Sequence, residues 1–324
     1  AVPRGRVGLA AASGTGLQEV SVLLAMAGEG VSQAIGLGGR DLTDEVGGLM
    51  AERALEALAR DPATTVGCLI GKPPGANVMK RLAARVATLG KPCVVHFAGT
   101  PSAIGFEHTA ATLEDTARLA VALARGTARP APREFTAPES EIARIVDDAT
   151  RSLAAGQRFV RGVYSGGTLA YEAVGLLAAT LDGVTRTLTG EGSGHRIVDL
   201  GDDRFTLGRP HPMIDGTLRR EWIDREARDP ATAVLLLDVM LGYGAHADPV
   251  GELVPAIATG VASARAGGRS LAVVASVCGT DQDPQSRSSQ VAALRETGVI
   301  VMPSNAQAAR LAARIAGRRH ASRP

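Results

Sequence analysis

The chain has 324 residues, of which 45% are hydrophobic and 3% aromatic, and its 35 basic residues nearly balance its 33 acidic ones. This length and composition predict a globular protein of two ordinary domains with a sizeable core. Balanced charge and few aromatic side chains argue against nucleic acid as a partner. No apolar run is long enough to span a membrane and no signal peptide is recognisable, so we expect a cytoplasmic protein.

The three cysteines are too few and too scattered for a disulfide framework. They are Cys68, Cys93 and Cys278, and none belongs to a pair with metal-ligand spacing. The pattern predicts buried thiols at Cys68 and Cys93.

In the first half of the chain, predicted strands and helices alternate. The predicted strands cover 7–12, 32–37, 66–70 and 92–97, and the predicted helices cover 17–27, 44–59, 76–89 and 113–125. Continuous apolar strands alternating with helices predict a parallel sheet covered on both faces. The proline-rich residues 126–138 predict a linker, and residues 139–157 a connecting helix.

The second half repeats this α/β pattern. The predicted strands cover 159–164, 197–200, 234–239, 270–277 and 299–302, and the predicted helices cover 169–181, 217–228, 250–266, 288–297 and 306–316. The sequence therefore predicts a first domain at 1–127, a linker and helix at 128–157, and a second domain at 158–324 with an insertion at 182–228.

Two glycine-rich loops occupy matching places in the two halves, each between a strand and a helix. The first loop is Ser13-Gly14-Thr15-Gly16 and the second loop is Ser165-Gly166-Gly167-Thr168. Glycines and hydroxyls at a helix N-terminus favour phosphate or carboxylate binding, although a capped tight turn would have the same residues. The repetition favours paired anion sites. Neither loop is a Walker A motif.

A third glycine-rich turn follows the second predicted strand. Gly39 precedes Arg40, whose guanidinium could bind an oxyanion with two parallel hydrogen bonds. An ordinary turn is the alternative interpretation.

The segment from Asp199 to Asp215 combines carboxylates with Arg209 and with His211, which has a proline on each side. An irregular polar insertion at a strand end is where a rigid site can be built. The alternative is a loop that is held together by hydrogen bonds from its aspartates to the backbone.

Two neighbouring strand ends in the second half carry further polar residues. These are Asp238, His246, Asp248, Gly279, Thr280, Asp281 and Asp283. Adjacent strand ends would place them in one crevice, where they could hold Mg²⁺ or transfer protons. Helix capping explains Asp248 and Asp283 equally well, and magnesium at Asp281 and Asp283 is a secondary interpretation. His96, His108, His195 and His320 have no motif around them.

These motifs resemble the FdrA family, relatives of the succinyl-CoA synthetase α-subunit. The resemblance rests on residues 12–19, 34–41, 72–74, 199–203, 206–215 and 279–285, with GRPHPMID the most specific stretch. It implies two tandem flavodoxin-like units whose helix N-termini hold a phosphorylated group. It also implies oxamate carbamoyltransferase activity in allantoin breakdown, with partner subunits.

The chain departs from the synthetase pattern at the phosphohistidine. The synthetase has a Gly-His-Ala-Gly loop after its fourth strand, whereas this chain has residues 98–101 and 278–281 there, without histidine. A phosphohistidine relay is therefore not expected. We also do not expect this chain to contain the usual N-terminal domain of these relatives, which binds CoA in the synthetase. Asp238 falls where the synthetase has a strand-end glutamate.

The leading hypothesis is a subunit of a carbamoyl or acyl transferase that forms an oligomer with partner subunits. The two loops, Gly39, Arg40, Arg209, Gly279 and Thr280 would bind phosphate and carboxylate, and His211 with Asp202 or Asp238 would handle protons. The alternative is a subunit of a nucleotide-dependent acyl-CoA ligase, and only that hypothesis requires CoA or ATP. A non-catalytic anion-binding scaffold is the third hypothesis.

Overall fold

A computed structural model describes residues 1–100, 105–187, 189 and 193–321. The chain divides into two compact units, Ala1–Pro132 and Arg133–Pro324, and each is described by itself. Pro101, the last residue of the segment at 98–101, lies outside the described residues.

The first unit contains a five-stranded parallel sheet. Its strands are β1 (Arg4–Ala11), β2 (Val31–Gly36), β3 (Val66–Gly71), β4 (Cys93–Phe97) and β5 (His108–Thr109). Their order is β2-β1-β3-β4-β5, which is the flavodoxin-like order. The predicted flavodoxin-like fold is therefore confirmed for this unit.

Among the described residues of the first unit, four helices cover this sheet. They are α1 (Gly14–Met26), α2 (Leu49–Arg60), α3 (Ala76–Ala87) and α4 (Leu113–Arg125). The predicted start of α2 at residue 44 is wrong. Gly47 and Gly48 have φ angles of 82° and 71°, which break the helix, and Asp44 instead accepts hydrogen bonds from the first turn of α3.

The second unit contains a six-stranded parallel sheet. Its strands are β6 (Phe159–Tyr164), β7 (Val184–Thr187), β8 (His195–Asp199), β9 (Thr232–Met240), β10 (Ala272–Cys278) and β11 (Ile300–Met302). The order is β11-β10-β9-β6-β8-β7. Without the edge strand β7 this is again the flavodoxin-like order, so the predicted fold class holds for both units.

Helices lie on both faces of the second sheet. They are α5 (Glu139–Arg151), α6 (Gly167–Ala178), α7 (Asp203–Thr206), α8 (Thr217–Arg228), α9 (Pro249–Ala266), α10 (Arg287–Glu296) and α11 (Asn305–Ala321). Helix α5 ends six residues before its predicted end at residue 157. The buried Gln157 side chain instead accepts from Ala154 N and donates to Thr232 O, at 2.9 and 2.6 Å.

The core of each unit follows from its apolar strands. Every residue of β9 is buried, as expected for a central strand covered on both faces. Cys68 and Cys93 are buried as predicted, and burial raises the pKa of the Cys93 thiol to about 12. None of the described helices is both long and apolar enough to cross a bilayer.

Candidate functional site

The carboxyl ends of the parallel strands of the second sheet form one edge, which we call the carboxyl edge. The segments that leave β6, β8, β9 and β10 are residues 165–166, 200–202, 241–248 and 279–286. Ligands of open α/β sheets bind at this edge. The candidate site is therefore built from these loops.

Asp238 lies beneath the second loop, near the end of β9. Its carboxylate accepts hydrogen bonds from the amides of Ser165 and Gly166, each at 2.8 Å, and from Ser165 Oγ at 3.1 Å. Arg219 of α8 forms an ion pair with it at 3.1 Å. Asp238 and Arg219 are 0% and 3% exposed. Arg219 was not among the predicted site residues, because it lies in a predicted helix, 217–228, without a motif around it.

Three polar atoms converge on Gly201, just after β8. A Cβ atom at this position would lie 2.5 Å from Ser165 O, 2.8 Å from His211 Nε2 and 3.2 Å from Asp199 Oδ1. Only glycine permits so close an approach. We call Ser165, Asp199, Gly201 and His211 the Gly201 cluster.

Asp199 is the titrating carboxyl of this cluster. Burial raises its pKa to about 6. The Gly201 amide lowers the pKa, with an N–O distance of 3.0 Å, and the charges of Asp238 and Asp202 raise it. Oδ2 accepts no hydrogen bond from the residues that the structure describes. Asp199 begins the polar segment noted in the sequence but was not among the predicted site residues. Its position at the end of a strand could have indicated a role in the site.

His211 is half-buried and has a defined hydrogen-bonding pattern. Its Nδ1 atom accepts from Met213 N at 3.2 Å, so the neutral ring carries its proton on Nε2. Burial lowers the pKa of His211, the charge of Asp238 opposes this effect, and Arg219 adds to it. The neutral ring is therefore favoured near pH 7, with Nε2–H available as a donor.

Asp202 and Arg209 lie on the same insertion but not in the Gly201 cluster. Asp202 directly precedes α7 and accepts from Arg204 N at 3.2 Å, which is a capping role. The Arg209 side chain is exposed and forms no hydrogen bond or ion pair with other described residues. It is free to contact a ligand in solution.

The loop after β9 is attached to the insertion. His246 N donates to Met213 O at 2.8 Å, and His246 Nδ1 accepts from Asp248 N at 3.0 Å. Gln285 donates to His246 O at 2.9 Å. A Cβ atom at Gly279 would lie 2.5 Å from the Leu241 side chain, so the loops after β9 and β10 are closely packed.

The aspartates after β10 hold backbone atoms. Asp283 accepts from Thr280 N at 2.7 Å, and Asp281 accepts from Ser288 N at 2.6 Å. Asp248 caps α9 by accepting from Gly251 N at 3.0 Å. Within the described part of the chain, no group of three or more His, Cys, Asp or Glu residues is arranged to hold a metal ion.

In the second loop, Gly166 caps α6 without a side-chain hydrogen bond. A Cβ atom at Gly167 would lie 2.6 Å from Asp199 Oδ2, which places Asp199 against the first residue of α6. Thr168 is buried in the first turn of the same helix.

The first loop leaves β1 in the first unit. Ser13 caps α1 by accepting from Gly16 N at 2.8 Å, whereas Gly14 has open space where a side chain would be. Thr15 lies in the first turn of α1. Gly39 and Arg40 are exposed in the turn after β2. Asp41 turns inward and caps α2 through Met50 N and Ala51 N, at 2.8 and 2.9 Å.

Comparison with known proteins identifies one domain family. Residues 163–315 match the CoA-ligase family, and this range holds the whole Gly201 cluster together with Arg219 and Asp238. The matched part of the second unit is therefore similar to this family.

Three individual proteins illustrate the extent of the similarity. The uncharacterized protein YahF of Escherichia coli (strain K12) is 38% identical over 331 residues, which cover 96% of this chain and 62% of YahF. A dinucleotide-forming acetyl-coenzyme A synthetase of Ca. Korarchaeum cryptofilum has a TM-score of 0.36 at 15% identity, covering 98% of this chain and 66% of that one. An ATP citrate lyase of Methanosaeta concilii has a TM-score of 0.32 at 13% identity, and the match covers 99% of this chain and 51% of that one. The chain thus spans about two thirds or less of these relatives.

Proposed function

We propose that this protein is a subunit of a CoA-ligase-type enzyme that transfers an acyl or carbamoyl group, and that its reaction proceeds through attack on a carbonyl carbon bonded to phosphate. The CoA-ligase match over residues 163–315 supports the reaction class. The Gly201 cluster supports the carboxyl edge of the second sheet as the place where the reaction occurs.

The main support for this proposal is that Asp199, His211 and Ser165 converge on Gly201. Above about pH 6 the Asp199 carboxylate is ionised and can accept a proton from the attacking group. The neutral His211 ring can donate its Nε2–H to the oxyanion that develops on the carbonyl oxygen. Asp202 and Asp238 thereby take capping and structural roles in the proposed site.

For the specific reaction, we propose carbamoyl transfer between carbamoyl phosphate and oxamate. The oxamate nitrogen attacks the carbamoyl carbon and passes a proton to Asp199. The bond from that carbon to the phosphate oxygen then breaks, which gives oxalurate and phosphate. Arg209 is the proposed clamp for the oxamate carboxylate, because a guanidinium can bind it through two parallel hydrogen bonds.

Anion binding in the first unit is proposed at the first loop, with Gly39 and Arg40. In the second unit, Gly167, Thr168, Gly279 and Thr280 remain proposed contacts. The amides of Ser165 and Gly166 are left out of this set because they donate to Asp238.

A nucleotide-dependent acid–CoA ligase subunit is the second candidate, which the CoA-ligase match favours. This reaction shares the attack on a phosphate-linked carbonyl. Under this candidate CoA is the acceptor, ATP supplies the phosphate, and further subunits are required.

Parallel assays on the chain together with its partner subunits test the two candidates. Phosphate release from carbamoyl phosphate that depends on oxamate and needs no nucleotide supports the transferase, whereas CoA-dependent ATP consumption supports the ligase. His211→Gln should lower the rate of whichever of the two reactions is observed. His108→Gln, a change in the first unit, should leave that rate unchanged. Absence of both reactions would contradict the proposal.

A further inference from the structure

A cleft of about 560 Å³ lies between three helices of the second unit, α5, α6 and α11. Sites for small molecules in proteins have volumes of this size. Helices α6 and α11 each follow the carboxyl end of a strand and run back along the sheet. Leu176, Arg314 and Gly317 line the cleft from the C-terminal halves of these helices. The cleft is therefore separate from the loops of the carboxyl edge.

Apolar side chains form part of the wall of this cleft. Val146 of α5 and Ala313 of α11 are 5% and 4% exposed, and Leu176 of α6 is partly buried. All three line the cleft. Such a wall favours a ligand with a hydrocarbon portion, because binding removes apolar surface of both partners from water.

The two carboxylates that line the cleft are already paired with an arginine. Arg314 donates to Glu134 Oε2 at 2.6 Å and also to Glu139. Arg318, on the next turn of α11, forms an ion pair with Asp147 of α5. A cationic ligand would have to compete with these arginines for the carboxylates.

Arg310 lines the same cleft but differs from these two arginines. Its Nη1 atom donates to the backbone oxygen of Glu134 at 3.1 Å. It forms no ion pair with a carboxylate among the residues that the structure describes. A backbone carbonyl does not neutralise the charge of a guanidinium, so this charge can still attract an anion. A carboxylate matches the fork of N–H donors on a guanidinium.

We propose that this cleft binds a small carboxylate with an apolar tail. The carboxylate contacts the Arg310 guanidinium, and the tail lies against Val146, Leu176 and Ala313. No residue of the Gly201 cluster lines the cleft. This second ligand site therefore goes beyond the proposed function and does not depend on it.

Octanoate is the probe that tests the charge of the site, and isothermal titration calorimetry on the full chain measures its binding. Octanoate should bind to the wild type with saturation. Arg310→Gln replaces the guanidinium with a neutral amide and should weaken binding about tenfold or more. Arg144→Gln is the matched control, because it removes an exposed arginine of α5 that does not line the cleft. It should bind octanoate as the wild type does.

Ala143→Trp tests the location. Ala143 is exposed on α5 and lines the cleft, so an indole at this position should fill the cleft without disturbing the core. The variant should unfold cooperatively, as the wild type does, and should lose octanoate binding. 1-Octanol and octylammonium, which have the same tail, should bind to the wild type about tenfold more weakly than octanoate or worse.

Four results would each overturn the proposal. They are a wild type that does not bind octanoate, an Arg310→Gln variant that binds it as tightly as the wild type, an Ala143→Trp variant that still binds it, and a wild type that binds either neutral or cationic probe as tightly as octanoate. Since the readout is binding, an inactive wild type would count against the proposed function and not against this site.

Discussion

Asp199 differs from the other carboxylates of the carboxyl edge because its second oxygen is not used to hold the fold. Asp202, Asp248, Asp281 and Asp283 accept hydrogen bonds from backbone amides of loops and helix starts. Asp199 accepts such a bond only through Oδ1 within the described part of the chain. At the scale of single residues, it is the carboxyl best suited to exchange a proton with a substrate.

The raised pKa of Asp199 predicts a cost in stability that grows with pH. Its folded-state pKa is about 6, above the ordinary value of 3.8, so the folded state loses stability as pH rises between these values, by about 3 kcal/mol in total. An asparagine side chain at this position does not ionise, so we compare the stability of Asp199→Asn with that of the wild type. This difference should favour the variant by about 2 kcal/mol more at about pH 7.5 than at about pH 4.5. Urea unfolding at the two pH values measures this difference.

Asp203→Asn is the matched control, since it removes an exposed carboxyl from the same segment. Because Asp203 is exposed, this variant should show a smaller change in stability between the two pH values than Asp199→Asn. In activity assays, the wild-type rate should rise through about pH 6, and Asp199→Asn should lose this limb. A pH-independent stability difference for Asp199→Asn would remove Asp199 from this role.

At the scale of elements, the turn after β2 caps two helices at a distance. Asp41 accepts from two amides in the first turn of α2, and Asp44 accepts from two amides in the first turn of α3. These bonds satisfy donors that the helices cannot satisfy themselves. The exposed Arg40 is thereby held on a turn with a fixed backbone.

Removal of the Asp41 carboxylate should loosen α2. Asp41→Ala leaves the amides of Met50 and Ala51 without their acceptor, at a cost of about 1–2 kcal/mol. Hydrogen exchange should become faster across Leu49–Arg60 and stay unchanged in the other helices. Glu45→Ala, an exposed carboxylate of the same turn, should not change the exchange of α2, and equal exchange in both variants would contradict the capping role.

The elements that the sequence predicted are those with a strong apolar pattern, and the missed ones lack it. The four residues of β7 are partly exposed at the sheet edge, and β5 has only two residues. Neither shows an apolar run. The early start predicted for α2 came from extending its helical pattern back to residue 44. The positive φ angles of Gly47 and Gly48, which end that pattern, are seen only in the folded chain.

The same limit applies to the candidate site. Strand-end positions and the repeated loops were readable from the sequence, because parallel strands place their ends at one edge. The burial of Arg219 was not readable, since its helix is rich in charged residues. Nor could the sequence show that Asp202 caps a helix while Asp199, three residues earlier, enters the Gly201 cluster.

At the scale of the whole molecule, the chain consists of two units that share a topology. The buried ion pair of Arg219 with Asp238 belongs to the second unit. Each unit has its own sheet and its own core. All members of the Gly201 cluster, together with Arg219 and Asp238, belong to the second unit. A fragment of residues 133–324 therefore contains the complete candidate site.

We expect this fragment to fold when it is expressed alone, because its sheet and buried ion pairs are formed within it. Thermal unfolding followed by circular dichroism should give a cooperative transition, and Asp238→Ala should lower its midpoint. The fragment of residues 1–132 is the matched comparison. A second-unit fragment without cooperative unfolding would contradict the independence of the two units.

The most direct test of the account compares two glycine variants in the phosphate-release assays. Gly201→Ala would push Ser165 O and His211 Nε2 out of place, whereas Gly244→Ala adds its methyl group to open space on a neighbouring loop. Gly201→Ala should slow transfer to oxamate or CoA by about a hundredfold, whereas Gly244→Ala should keep the wild-type rate. Equal rates in both variants would show that the Gly201 cluster is not the site of the reaction.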